Sequence, residues 1–239
     1  MQGGLFLTDG GIETSLIFHR GLDLPDFAAF VLLEDEKGIA ELRRYYEPYL
    51  ALARERGVGF VLESPTWRSS SRWGEGLGYS AERLDQVNRR AIELMRELRD
   101  EADAPGTTIV ISGCVGPQGD GYSPEELLTA EEAQRYHAPQ IGSFAAAGAD
   151  MVTAITMTYP EEAIGFARAA VEAGIPSAVS FTVETDGRLP NGESLGEAIE
   201  RTDDATDAAP AYYMINCAHP THFDEVLEGY RLQALGLIR

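Results

Sequence analysis

The chain has 239 residues, with 19 Lys and Arg against 39 Asp and Glu, which gives a formal charge of −20. This charge argues against a nucleic-acid partner, because phosphates would be repelled. No run of about 18 apolar residues occurs, so the sequence predicts no membrane span. Two cysteines exclude a disulfide framework, and the absence of a basic, apolar leader favours a cytoplasmic protein.

Short apolar runs alternate with longer segments of helical periodicity along the chain. Strands are predicted over residues 5–8, 58–62, 108–112, 151–155, 177–183 and 211–215. Helices are predicted over residues 39–53, 84–98, 133–144, 161–173 and 223–229. Ser80 is expected to cap the second helix, and Thr129 with Glu132 to form a capping box before the third. Residues 203–210 are interpreted as a solvated acidic loop.

This alternation predicts an α/β fold with a parallel sheet and helices outside it. The sequence has no Gly-rich dinucleotide fingerprint after the first strand and no P-loop motif, so a (β/α)₈ TIM-type barrel is favoured. We expect one domain over residues 1–239. Eight units at this spacing need roughly 300 residues. We therefore expect the last one or two βα units to be missing from the given chain, which would leave a gap in the barrel.

Polar and thiol side chains are predicted at the carboxyl ends of the strands, where barrel enzymes perform their chemistry. These positions are Asp9-Gly10-Gly11, Glu63, Cys114, Thr156, Glu184 and Asn216-Cys217, with His219 two residues further. Among them, Asp9, Cys114, Thr156 and Cys217 are expected to converge on one rim.

Ordinary structural roles are alternatives at several of these positions. Asp9 before two glycines also fits a turn, and Cys114 also fits a small packed residue. Glu63 and Glu184 also fit solvated charges. The long loop after the second strand fits either a lid over an anionic substrate or a loop held in place by its aromatic side chains. That loop carries Trp67, Arg68, Arg72 and Trp73.

Five short stretches follow one another in a characteristic order. They are Leu7-Thr8-Asp9-Gly10-Gly11, Ser112-Gly113-Cys114-Val115-Gly116-Pro117, Ala147-Gly148-Ala149-Asp150, Ser180-Phe181-Thr182 and Ile215-Asn216-Cys217. As an ordered set they resemble the homocysteine S-methyltransferase family. The resemblance implies a barrel that binds zinc through three cysteine thiolates. One thiolate belongs to an Asn-Cys pair after strand six, matched by Cys217. The other two belong to a Gly-Gly-Cys-Cys motif that has no match in this sequence.

The resemblance implies transfer of a methyl group from a small cationic donor, of the S-methylmethionine or betaine type, to a zinc-bound thiolate. The acceptor would be homocysteine or a related thiol, and the pathway methionine biosynthesis. Asp9 and Cys217 are assigned to catalysis, with Cys217 as the zinc ligand. Substrate binding is assigned to Asp9, Gly10, Gly11, Ile12, Glu63, Cys114, Thr156 and Asn216.

The sequence departs from the family pattern at strand four, where the family often carries a Glu that binds the substrate amine. Ile155 occupies that position and Thr156 follows it. Because a buried isoleucine offers no charge to an ammonium group, we expect Ile155 to alter the choice of substrate. Glu63 or Glu184 would be the compensating carboxylate.

Two other functions are open at this point. A barrel lyase or hydrolase would use carboxylates such as Asp9 as acid–base groups or hard-metal ligands. A non-catalytic relative would bind a small molecule or a partner. Since the cysteine pair is absent, we expect no bound zinc in the given chain. We also expect exposed strand edges that a homo-oligomer could cover.

Overall fold

Parallel strands alternate with helices in the computed structural model, which describes residues 4–103, 106–122 and 127–224. The strands are β1 Phe6–Thr8, β2 Gly59–Glu63, β3 Ile109–Val115, β4 Met151–Met157, β5 Ser177–Phe181 and β6 Tyr213–Ile215. The helices are α1 Ile12–Thr14, α2 Glu36–Arg56, α3 Ser71–Gly76, α4 Ala81–Glu101, α5 Ala130–Ala147, α6 Pro160–Ala173 and α7 Leu195–Thr206. A π-helical turn, Ser15–His19, extends α1. The strand order in the sheet follows the chain from β1 to β6, as a (β/α) barrel requires.

The predicted strands are confirmed in number and order within the described residues, with shifted ends. β3 continues to Val115 and β4 to Met157, so Cys114 and Thr156 lie inside strands and not after them. The capping roles of Ser80, Thr129 and Glu132 are confirmed by hydrogen bonds. No helix of the described residues is long and apolar enough to cross a membrane.

The acidic loop predicted over residues 203–210 is wrong in its first half. Residues 203–206 are the last turn of α7, which begins with a capping box between Ser194 and Glu197. Asp203 is held in this helical turn by a hydrogen bond from the Tyr213 hydroxyl, at 2.6 Å. The helix predicted over residues 223–229 lies outside the described residues apart from its first two positions.

The first of two compact units comprises Met1–Cys114 and Ser143–Met151. Its core contains the apolar side chains of β2 and the buried faces of α2 and α4. Gly113 lets β3 approach α5 closely, since a Cβ there would lie 2.3 Å from the Phe144 ring. In the register, Thr8 pairs with Val61 and Glu63 with Ser112, so the carboxyl ends of β1, β2 and β3 lie at one edge.

The second unit comprises Val115–Gly142 and Val152–Arg239. β5 is buried along its whole length. Helices α5 and α6 approach so closely that a Cβ at Gly165 would lie 2.4 Å from the Ala133 Cβ. Buried Glu162 on α6 accepts a hydrogen bond from the Gln118 amide at 2.6 Å and contacts His137 Nε2 at 3.1 Å. These bonds hold the segment after β3 against the helices of this unit.

Candidate active site

The residues predicted from the strand ends form two groups, one in each unit. In the first unit Asp9 follows β1, Glu63 ends β2 and Cys114 is the penultimate residue of β3. In the second unit Thr156 lies in β4 and Cys217 follows β6. The structure brings members of each group together within their own unit. Convergence of both groups on one rim stays a prediction.

Asp9 is held by a tyrosine of helix α2. The Tyr45 hydroxyl donates to Asp9 Oδ2 at 2.8 Å and also lies 2.9 Å from the Gly10 carbonyl oxygen. Burial raises the pKa of Asp9 to about 6, against the opposing effect of the Tyr45 hydrogen bond. Burial and the neighbouring Asp9 charge raise the pKa of Tyr45 as well, so Tyr45 stays a hydrogen-bond donor.

Glu13 is a second carboxylate beside Asp9, in the first turn of α1. Burial raises its pKa to about 7, and the charge of Asp9 adds to this, whereas its own backbone amide and Arg68 oppose it. Its Oε1 atom is buried and accepts no hydrogen bond from any residue in the described ranges. Buried carboxylate oxygens normally have a donor, so Oε1 of Glu13 is able to accept a further hydrogen bond.

The loop after β2 is packed and not open. The Arg68 guanidinium lies between two indole rings, 3.9 Å from the centroid of Trp67 and 3.6 Å from that of Trp73. Arg68 is only 5% exposed. Such stacking on two aromatic faces is a cation–π arrangement that holds the loop in place, which favours the pinned-loop alternative for this segment.

Cys114 is buried beneath the carboxylates of the first unit. Burial raises the pKa of its thiol well above the ordinary value, and the charges of Glu63, Glu13 and Asp9 add to the effect. Its backbone is fixed by a bond from its amide to Ser64 Oγ at 3.0 Å. A protonated, enclosed thiol is a poor nucleophile and a poor metal ligand. Its predicted contact with substrate stays a prediction.

In the second unit the side-chain amide of Asn216 makes four hydrogen bonds. Its Oδ1 accepts from the Thr156 amide at 3.0 Å and from Ser180 Oγ at 2.7 Å. Its Nδ2 donates to Thr156 Oγ1 at 2.9 Å and to Cys217 Sγ at 3.1 Å. The amide therefore ties the ends of β4, β5 and β6 to the Cys217 sulfur.

The backbone around this amide is strained. Thr156 has a φ of 70° and Cys217 a φ of 53°, in the left-handed region that residues with a Cβ rarely adopt. Such strain persists where surrounding bonds impose it and is common at functional sites. Cys217 is exposed, so its sulfur is both oriented and accessible.

Three predicted residues lie apart from these contacts. Glu184 is exposed in the turn after β5. His219 uses Nδ1 to accept a hydrogen bond from the Thr221 amide at 3.3 Å, which caps a 3₁₀ turn. Ile12 is half-buried at the start of α1. No group of three or more His, Cys, Asp or Glu side chains that could hold a metal occurs in the parts of the chain that the structure describes.

Three residues at these positions were not predicted from the sequence: Glu13, Tyr45 and Ser180. Ser180 begins one of the five family-like stretches, but no role was predicted for it. Tyr45 is 36 positions from Asp9 in the chain, and no local pattern connects them. Glu13 could have been found as a carboxylate four residues after Asp9, just past the two glycines.

Comparison with known proteins gives consistent matches. The family description "Homocysteine S-methyltransferase" matches residues 6–238. Selenocysteine Se-methyltransferase of Brassica oleracea var. italica is 28% identical over 220 residues, which cover 82% of this chain and 61% of that protein. Homocysteine S-methyltransferase of Escherichia coli (strain K12) is 28% identical over 214 residues, covering 82% of this chain and 64% of that one. The chain therefore spans less than two thirds of the length of these curated relatives.

Solved structures of one protein share the fold. The oxidized form of the homocysteine methyltransferase MmuM from Escherichia coli matches with a TM-score of 0.77 and 21% identity, over 99% of this chain and 80% of that one. Its metallated form matches with a TM-score of 0.74 and 22% identity, over 99% of this chain and 81% of that one.

Proposed function

The chain belongs to the homocysteine S-methyltransferase family, and on that premise we propose that it binds an amino-acid thiol and supports transfer of a methyl group to its sulfur. The acceptor is homocysteine or a related thiol, and the donor is a small cation of the S-methylmethionine or betaine type. The observation that carries this proposal is the Asn216 network, which orients an exposed Cys217 sulfur at the family's Asn-Cys position.

The proposed thiol chemistry is assigned to Cys217. The Asn216 amide donates to its sulfur at 3.1 Å, and this bond fixes the direction of the sulfur. A metal-bound thiolate of this kind is what the family resemblance implies for zinc. Zinc sites need three or four protein ligands, and the described residues bring no such group together. Among the described residues, Cys217 fits as one ligand of a zinc site. The contacts with substrate are assigned to other residues of this chain.

The proposed binding of the substrate ammonium is assigned to Asp9. Tyr45 orients its carboxylate through one oxygen, which leaves the other oxygen for a substrate ammonium. The backbone of Gly10, Gly11 and Ile12 is proposed to hold the substrate carboxylate. A Cβ at Gly10 would lie 3.1 Å from the Tyr49 hydroxyl, so a side chain there would crowd Tyr49.

Small molecules are therefore the proposed partners, within methionine biosynthesis in the cytoplasm. The charge of −20 is consistent with this and disfavours nucleic acid. Family membership gives no support to a lyase or hydrolase.

The test is a methyl-transfer assay by mass spectrometry. The protein is incubated under reducing conditions with S-[¹³C-methyl]methylmethionine or labelled betaine, together with homocysteine or selenocysteine, with and without added zinc. We expect a labelled methyl group on the thiol or selenol of one acceptor. Absence of labelled product with every donor and acceptor, from a folded and zinc-supplemented protein, would contradict the proposal.

A further inference from the structure

Glu13 has a buried carboxylate oxygen to which the proposed function assigns no role. Its Oε1 atom is buried without a hydrogen-bond donor among the described residues. The neighbouring carboxylate Asp9 is already engaged by Tyr45. An acceptor that is buried without a partner destabilises the protein, so a donor supplied by a ligand would recover that cost.

The surroundings of Glu13 fit a cation. Asp9 and Glu13 influence each other electrostatically, and both also act on the thiol of Cys114. Arg68 is the positive group that acts on Glu13, and its guanidinium is held between two indole rings. When both carboxylates are ionised, each charge disfavours the ionised form of the other. An ammonium group placed between them would stabilise the ionised form of each.

Strand β4 supplies no alternative partner for such a cation. Its residues, Met151 to Met157, read Met-Val-Thr-Ala-Ile-Thr-Met and contain no carboxylate. Glu184 is exposed beyond β5. Glu13 combines an electrostatic interaction with Asp9 and a buried oxygen without a donor among the described residues.

We propose that Glu13 is a specificity-determining residue that binds the α-ammonium group of the thiol substrate together with Asp9. This inference rests on the proposed function, because it assumes an amino acid as acceptor. No covalent step is involved: the ammonium donates one hydrogen bond to the free oxygen of Glu13 and one to Asp9. The site therefore selects amino-acid thiols over thiols that lack the amine.

The test compares two ligands with the same thiol and carboxylate. Homocysteine has the amine and 4-mercaptobutanoate lacks it. Dissociation constants for both are measured by calorimetry under reducing conditions for the wild type, Glu13→Gln and Glu36→Gln. Glu36 is a matched control because it is an exposed glutamate in the first turn of another helix, α2. Methyl transfer by the wild type is measured in parallel.

We expect the wild type to prefer homocysteine, and Glu13→Gln to lose roughly 10-fold or more of that preference, as for other hydrogen bonds to charged groups. Affinity for 4-mercaptobutanoate should be unchanged. Glu36→Gln should keep the wild-type preference. Glu13→Asp should recover part of it, since the charge is restored one methylene further away.

The outcomes separate the two proposals. If the wild type transfers methyl groups and Glu13→Gln keeps the full preference for homocysteine, the inference is wrong and the proposed function stands. If Glu13→Gln weakens both ligands equally, Glu13 has a structural role as a partner of Arg68, and the inference is again wrong. If the preference depends on Glu13 but no methyl transfer occurs, the binding inference holds and the proposed function fails.

Discussion

The carboxylate region of the first unit and the thiol region of the second differ in how their polar groups are satisfied. Around Asp9 and Glu13, burial raises both pKa values, to about 6 and about 7, and one buried oxygen has no donor among the described residues. Around Cys217, every side-chain polar atom of Asn216 is hydrogen-bonded and the sulfur is exposed. The first region is half-buried and has an acceptor without a donor, whereas the hydrogen bonds of the second are complete and its sulfur is exposed.

This difference indicates a division of labour. A region with an unused buried acceptor gains free energy when a cationic ligand binds. A region whose amide is fully bonded gains little from a ligand at that amide, but it presents one sulfur in a defined direction. The first region is therefore suited to bind a cationic group, and the second to present a sulfur. Each of the following changes affects one region and should spare the other.

The largest effect is expected from Asp9→Asn. Breaking a buried charge pair costs about 3–5 kcal/mol, so kcat/KM for homocysteine should fall at least ~100-fold. Affinity for 4-mercaptobutanoate should be unchanged, because Asp9 is proposed to bind the amine that this ligand lacks. Steady-state kinetics and calorimetry on the same preparation measure both. A parallel loss of affinity for 4-mercaptobutanoate would show that the two regions are not separable in this way.

A smaller effect is expected from Asn216→Ala. In the proposed function Asn216 orients the sulfur that carries the thiol chemistry, and removing such an orienting group typically costs about 10–100-fold in activity. Affinity for 4-mercaptobutanoate and homocysteine should fall by the same factor, because Asn216 is not proposed to contact the amine, the group that distinguishes the two ligands. Asn191→Ala is the matched control, since Asn191 is exposed and its side chain bonds to Glu193. If Asn216→Ala changed the preference between the two thiols, the separate roles assigned to the carboxylate region and the thiol region would be wrong.

The smallest effect is expected from pH. Because burial raises the pKa values of Asp9 and Glu13 to about 6 and about 7, both carboxyls lose their protons as pH rises through this range. An ammonium ligand favours the ionised forms, so homocysteine affinity should rise between pH 5.5 and 8, by at most about 10-fold per unit for each proton released.

The matched ligand provides the control for that titration. The affinity for 4-mercaptobutanoate lacks the ammonium contribution and should be flat or fall over the same range. Glu13→Gln should remove the upper part of the rise, near pH 7, and leave the part near pH 6. Calorimetric titrations at four or five pH values are sufficient, and identical pH profiles for the two ligands would contradict the assignment.

Much of the fold was predictable because it depends on local patterns. Apolar runs of four to seven residues located the strands, and the capping residues Ser80 and Thr129 located helix starts. Helix α7 was missed although Ser194 and Glu197 form a capping box, because the acidic residues at its end were interpreted as a solvated loop. In the structure Asp203 bonds to Tyr213 across the turn, a contact that sequence spacing does not reveal.

The candidate site was predictable only in part, for a related physical reason. Asp9 and Cys217 stand in short motifs at strand ends, and motifs are visible in a sequence. The pKa of Glu13 depends on burial and on two other charged side chains, and the direction of the Cys217 sulfur depends on an amide that also bonds to Thr156 and Ser180. Such properties arise when distant segments pack together.

The most direct test of this account compares the two cysteines in one methyl-transfer assay. Cys217→Ser removes the oriented, exposed sulfur, whereas Cys114→Ala removes a buried thiol whose raised pKa keeps it protonated. With homocysteine and a labelled methyl donor, we expect Cys217→Ser to lose activity by about 100-fold or more, because the proposed function assigns the sulfur chemistry to this thiol. Cys114→Ala should retain at least ~10-fold more activity than Cys217→Ser. The opposite order, with both variants folded, would contradict the assignment of sulfur chemistry to Cys217.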